Sequence, residues 1–139
     1  MSYASEADLV TRFGAQEITA NADRDQDGEI DEAVIEAALA DPDNEIDAED
    51  GRRYATPITP VPPILLTIAC AIARAGLFTS EAPEIVLANL KSARAMLKRI
   101  GDGDMQLDAP APAAAADTAG EVLTEMSEKR FTRDSMKGL

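Results

Sequence analysis

The stretch Pro63-Ile64-Leu65-Leu66-Thr67-Ile68-Ala69-Cys70-Ala71-Ile72-Ala73-Arg74-Ala75 decides how the rest of the chain must fold. It is apolar on nearly every face, so no side of it can be left in water, and it falls short of the roughly twenty residues a membrane span needs. It therefore predicts a helix over 63–75, ended by Gly76, that forms the most buried element of a bundle. The one cysteine, Cys70, lies inside it and reads as a small buried thiol. No disulfide within the chain is available to it.

Downstream, Ser80 is expected to cap a helix in which Val86, Leu90, Ala93, Leu97 and Ile100 recur at spacings of four, three, four and three. Lys91, Arg94, Lys98 and Arg99 line its other faces, and the last of these suit the negative end of the helix dipole. From Gly101 the periodicity stops. Upstream, four prolines in the run from Gly51 through Pro63 exclude helix and predict an ordered loop. Ser5-Glu6-Ala7-Asp8 reads as a capping box for a short helix that Gly14 ends, and a second short turn holds Ile18. Residues 33–39 have helical spacing that Asp41-Pro42 interrupts; Asp41 can cap a new start with Pro42 at its first position, helical through Ile46 toward Gly51.

The expectation is an all-α fold: a small helical bundle of four to five helices with a Pro-rich loop and an extended C-terminal arm. Residues 1–101 form the helical domain, 102–128 an Ala/Pro-rich flexible linker that cannot bury a core, and 129–139 a docking arm. With no Trp and 4% aromatic residues, the core must be built from Leu, Ile, Val and Ala.

Charge is segregated. Residues 1–50 carry sixteen acidic and two basic side chains, against ten and eleven in 51–139. Such a field opposes adhesion to nucleic acid, which depends on clustered Lys and Arg displacing counterions. The absence of histidine rules out Ser-His-Asp and Cys-His triads and His-ligated zinc. Neither a phosphate-binding glycine loop nor a dinucleotide fingerprint is present, so an enzyme is not expected and no cofactor is required. Met1 is followed by polar sequence without a basic and apolar leader, which predicts a soluble protein made in the cytoplasm.

Two segments carry candidate chemistry. Asp23-Arg24-Asp25-Gln26-Asp27-Gly28-Glu29-Ile30-Asp31 matches the first nine positions of a helix-loop-helix calcium loop, with Asp23, Asp25, Asp27, Glu29 and Asp31 as candidate ligands. The twelfth position, where a bidentate Glu belongs, is Val34, so any Ca²⁺ or Mg²⁺ would bind weakly; the plainer reading is an acidic turn with Asp31 as an N-cap. The last eleven residues combine a net charge of +3 with apolar side chains. There Arg130, Phe131, Thr132, Arg133, Ser135, Met136 and Leu139 are the expected partner-binding residues. Arg53 and Tyr54 are a second candidate patch, although solvated charge beside an aromatic that closes the core accounts for them as well.

Tyr3-Ala4-Ser5-Glu6-Ala7-Asp8-Leu9, Arg12-Phe13-Gly14, the loop from Asp23 to Asp31, Arg53-Tyr54-Ala55-Thr56-Pro57-Ile58, Val61-Pro62-Pro63, Ile68 to Arg74 and Arg130-Phe131-Thr132-Arg133-Asp134-Ser135 together resemble the Mu-like phage head-tail connector (neck, or adaptor) family. The resemblance implies a structural subunit of the virion neck, assembled in the host bacterial cytoplasm. It implies a ring of about twelve copies beneath the portal protein, joined on its other side to a neck or tail terminator protein. DNA would pass through such a ring without sequence-specific binding, and no membrane is involved. A small divalent-cation-binding regulatory protein built on the Asp23 loop is the alternative.

Overall fold

A computed structural model describes residues 2–112. Five helices make up its regular structure: α1 Glu6–Phe13, α2 Ala15–Ala22, α3 Glu32–Asp50, α4 Pro63–Leu77 and α5 Glu84–Asp102, with no strand among the described residues. The expected all-α bundle is what forms. Helix α4 is its axis, packed most extensively on α3 and α5 and flanked by α1 and α2. Leu65, Ile68, Ala69, Cys70, Ile72, Ala73 and Leu77 are all buried. Removing each large aliphatic side chain from water stabilises the fold by about 1.5–3 kcal/mol, so this helix supplies the largest share of the core.

The capping box opens α1 as the sequence predicts: the Ser5 hydroxyl accepts from the Asp8 N–H while the Asp8 carboxylate accepts from the Ser5 N–H. The stripe on α5 is also as expected, with Val86, Ala93, Leu97 and Ile100 buried and Leu90 half-buried. Four boundaries differ. Helix α3 runs unbroken through Pro42, whose buried ring continues the stripe Ile35, Ala38, Pro42, Ile46. Packing along α4 holds the helix together where proline alone would break it. Helix α4 continues through Gly76 to Leu77. Helix α5 begins after Pro83 rather than at Ser80, because the residue before a proline is held away from helical geometry.

At its far end α5 passes through Gly101 and stops at Gly103, whose φ of 90° is the left-handed geometry that closes a helix. Gly101 serves a different purpose: a Cβ there would lie 2.8 Å from the Glu49 side chain and 3.0 Å from its carbonyl oxygen, so glycine lets α5 approach α3 closely. Contacts with the core do not end at residue 101. Met105, Leu107 and Ala109 pack against it, and the Ala55 N–H donates to the Pro110 carbonyl at 2.8 Å. The first part of the expected linker is thus tied to the Pro-rich loop.

Ion pairs fasten the helices crosswise. Arg74 of α4 makes a two-pronged bond to Glu17 of α2 at 2.7 and 2.8 Å and lies 4.3 Å over the Phe13 ring of α1. Arg94 of α5 does the same to Glu45 of α3 at 3.0 and 2.6 Å. No helix among the described residues is long and apolar enough to cross a membrane.

Candidate functional site

The acidic loop joins α2 to α3 and is shaped by its own carboxylates. Asp23 accepts from the N–H groups of Asp27 at 3.1 Å and Gly28 at 2.8 Å, Asp25 accepts from Asp27 at 3.2 Å, and Asp27 accepts from Glu29 at 2.8 Å. Gln26 and Gly28 adopt positive φ of 66° and 93°, which folds the loop back tightly enough for these bonds. The carboxylate oxygens of Asp23, Asp25 and Asp27 come within 4.8 Å of one another. Of the five expected ligands, three are therefore brought together. Asp31 is engaged elsewhere, accepting from the Arg24 N–H at 2.6 Å, and it starts α3 by position without a side-chain cap bond. Glu29 is exposed outside the cluster, and Val34, at the twelfth position, packs against the core.

Asp23 and Asp25 are pushed in opposite directions. Partial desolvation pushes Asp23 up, but bonds from the N–H groups of Gly28, Asp27 and Gln26 outweigh it and hold the group below its ordinary range. Asp25 is pushed up, first by desolvation, then by its hydrogen bond to Asp23 and the charges of Asp27 and Asp31. A cation placed among these oxygens would relieve that repulsion. Only three side chains supply it, where tight loops of this kind use more oxygens and a bidentate Glu.

Around the Pro-rich loop, aromatic hydroxyls act as pins. The Tyr3 hydroxyl donates to Asp47 at 2.6 Å and accepts from the Ile58 N–H at 2.9 Å, joining the N-terminus, α3 and the loop. Burial, followed by the bond to Asp47, pushes the Tyr3 phenol well above its ordinary value, so it remains a donor. Tyr54 is buried, and its hydroxyl accepts from the Leu107 N–H at 2.9 Å. Of the pair expected to meet a partner, only Arg53 is exposed, and its guanidinium lies close over Gly103. Arg130, Phe131, Thr132, Arg133, Ser135, Met136 and Leu139 lie outside the described residues.

Two features went unread in the sequence. Asp50, in the last turn of α3, is 0% exposed, and neither carboxylate oxygen has a hydrogen-bond partner. Burial, then the charges of Glu49 and Asp47, raise its pKa to about 7. The signal was its spacing: Asp50 follows Ile46 by four residues on the buried stripe. Cys70, by contrast, is buried as expected, and burial raises its thiol to about 11, which keeps it protonated and unreactive. The second feature is a groove between α1, α4 and α5, with Ile85 and Leu87 exposed at the start of α5.

The family described as Bacteriophage Mu, Gp36 matches residues 3–126. Gene product J of Escherichia phage Mu is 27% identical over 139 residues, covering 99% of both chains. The Mu-like prophage FluMu protein gp36 of Haemophilus influenzae is 24% identical over 136 residues, covering 98% of this chain and 96% of its own.

Proposed function

The chain belongs to the Bacteriophage Mu, Gp36 family, and from that premise we propose that it is a structural, non-enzymatic head-tail connector subunit. In this reading copies of the chain form a ring, about twelve-fold, in the virion neck. The portal protein lies on one side and a neck or tail terminator protein on the other. The observation that carries the reading is the segregation of charge on a small helical scaffold. Helix α3 and the loop before it hold thirteen of the sixteen acidic residues in the first fifty, including Glu32, Glu36, Asp41, Asp43 and Glu45, with no basic residue on α3 itself. Helix α5 carries Lys91, Arg94, Lys98 and Arg99; Arg94 and Lys98 pair within the chain with Glu45 and Asp102, which leaves exposed Lys91 and Arg99 to face a neighbour.

Such a subunit can meet its neighbour by opposite charge and still present acid to a central passage, where it repels DNA and lets it slide without sticking. Residues 129–139, with +3 of charge, supply the arm that reaches an adjoining ring. Many such arms acting together turn a weak contact into a lasting one through effective concentration.

The test is co-sedimentation of the full chain with a purified portal ring. Saturable binding is expected, and failure to bind at any protein concentration overturns the reading. The convergence of Asp23, Asp25 and Asp27 favours one secondary role, a weak Ca²⁺ or Mg²⁺ site that steadies the α2–α3 loop. Taken alone it would make the chain a small divalent-cation-binding regulator, one that stays monomeric in the presence of portal.

A further inference from the structure

Phe13 at the end of α1, Ala71 of α4 and Ala93 and Met96 of α5 are the apolar walls of an open groove of about 390 Å³, with Arg12 and Ser92 at its rim. Arg12 is exposed and has no ion pair among the described residues, whereas Arg74 and Arg94 are both held in two-pronged bonds. Ile85 is 61% exposed and stands two turns before Ser92 on the same side of α5, an apolar side chain beyond the polar Asn89 at the groove's end. An apolar floor with a free cation at its rim fits a short acidic, apolar segment.

The chain itself carries such a segment. Residues 121–126 read Glu-Val-Leu-Thr-Glu-Met, with Val122 and Met126 four apart, Leu123 and Met126 three apart, and Glu121 and Glu125 beside them. Thr118 precedes Glu121 by the three residues of a helix-opening signal. The family match continues to residue 126, well past Pro112, where the described chain ends, so the family pattern takes in this segment and leaves out residues 127–139. The eight residues between Pro112 and Glu121 can span about 30 Å when extended, roughly the width of a domain this size, so the groove is within reach of its own chain.

We propose that residues 121–126 close this groove in the same molecule, seating Val122, Leu123 and Met126 against Phe13, Ala93 and Met96, with Glu121 and Glu125 facing Arg12. The inference does not rest on the connector reading, and it makes the second half of the expected linker part of the folded domain.

Cysteine trapping in the full-length chain tests it, since the buried native Cys70 does not compete. The pair Ser92→Cys with Met126→Cys should close under mild oxidation into an intrachain disulfide at least about tenfold faster than a control pair, Ser80→Cys with Met126→Cys. Equal rates overturn the proposal, and so does a disulfide-linked dimer, which would assign the groove to a second copy. Independently, Met126→Asp should lower the melting temperature by about 5 °C while Met136→Asp leaves it unchanged. Arg12→Glu should lower it too, and Glu121→Lys with Glu125→Lys should restore the loss in that background. Melting curves indifferent to residue 126 and to the charge reversal overturn the proposal even if the cysteine pairs cannot be made.

Discussion

Replacing Asp50 by Asn should stabilise the protein at neutral and alkaline pH and do progressively less as the pH falls. In the folded chain this carboxyl is fully buried without a hydrogen-bond partner and titrates at about 7, against 3.8 for an ordinary Asp. Above about pH 7 both states are ionised and the full cost of a buried, unpaired charge is present; below about pH 4 both are protonated and the cost is gone. Between these limits the unfolded chain has released its proton while the folded chain retains it, so stability falls as pH rises through the window. A shift of about three units corresponds to about 4 kcal/mol in total, of which about 2–3 kcal/mol falls between pH 5 and pH 8. Asn carries no titrating charge; its unpaired amide costs about 1–3 kcal/mol, but equally at every pH. The difference between variant and wild type therefore isolates this one group, because all other carboxylates titrate in both. Thermal melts followed by circular dichroism at constant ionic strength should show that difference growing by about 10 °C from pH 5 to pH 8. A difference that stays flat, or shrinks as pH rises, refutes the account and means that Asp50 is ionised and satisfied in solution.

Gly101→Ala should destabilise by about 1–3 kcal/mol in urea melts, reversing the usual preference for Ala within a helix, since the added Cβ meets Glu49 at 2.8 Å; a stabilised variant would show that α3 and α5 sit farther apart. Calorimetry should find Ca²⁺ binding only at high-micromolar to millimolar concentration, with Asp25→Asn and Asp27→Asn lowering the melting temperature only when Ca²⁺ is present. Sub-micromolar affinity would contradict the three-carboxylate geometry. A chain truncated after Glu128 should keep its helicity and melting temperature yet fail to sediment with portal, and Phe131→Ala should weaken that binding by about tenfold or more; normal attachment of the truncated chain would move the anchor elsewhere, with the loop from Arg52 to Pro63 next in line. Ring assembly should weaken between low and high salt if α3 of one subunit faces α5 of the next, because such pairing is screened. Salt-independent assembly would exclude that contact.

The elements legible in the sequence are those whose pattern admits one environment. Helix α4 is apolar all round, so it had to be central, and the stripe on α5 could face only inward. What escaped was decided by tertiary packing. Gly76 and Gly101 look like stop signals, yet both lie inside helices, and it is Gly103 that takes the left-handed geometry at the end of α5. Pro42 looks like a break, yet its ring is part of the buried stripe. At the candidate site, alternate spacing foretold the approach of Asp23, Asp25 and Asp27, which is local geometry. It could not foretell that Asp31 would turn to the Arg24 N–H, or that Tyr54, legible as an aromatic that closes the core, would hold Leu107 by its hydroxyl, because those partners come from the loop's own fold and from a segment 53 residues away.

The place from which the C-terminal residues depart follows from those same pins. Tyr54 holds Leu107, Ala55 holds Pro110, and Gly103 turns beneath Arg53, so the chain leaves the domain beside the Pro-rich loop. From Pro112 to Arg130 an unconstrained segment could extend about 60 Å, far enough to reach almost any neighbouring surface. Seating residues 121–126 in the groove changes that arithmetic. Only four residues then separate Met126 from Phe131, an extended reach of about 17 Å. The surface that receives Phe131 must in that case lie within that distance of the groove's mouth, on the side where α1 and α5 are exposed. A short tether also raises the local concentration of the arm at its target, which strengthens a weak contact more than a long one would. The groove and the arm therefore constrain each other: crosslinks from Phe131 to a partner surface remote from α1 and α5 would be incompatible with a seated segment 121–126, and one of the two proposals would have to yield.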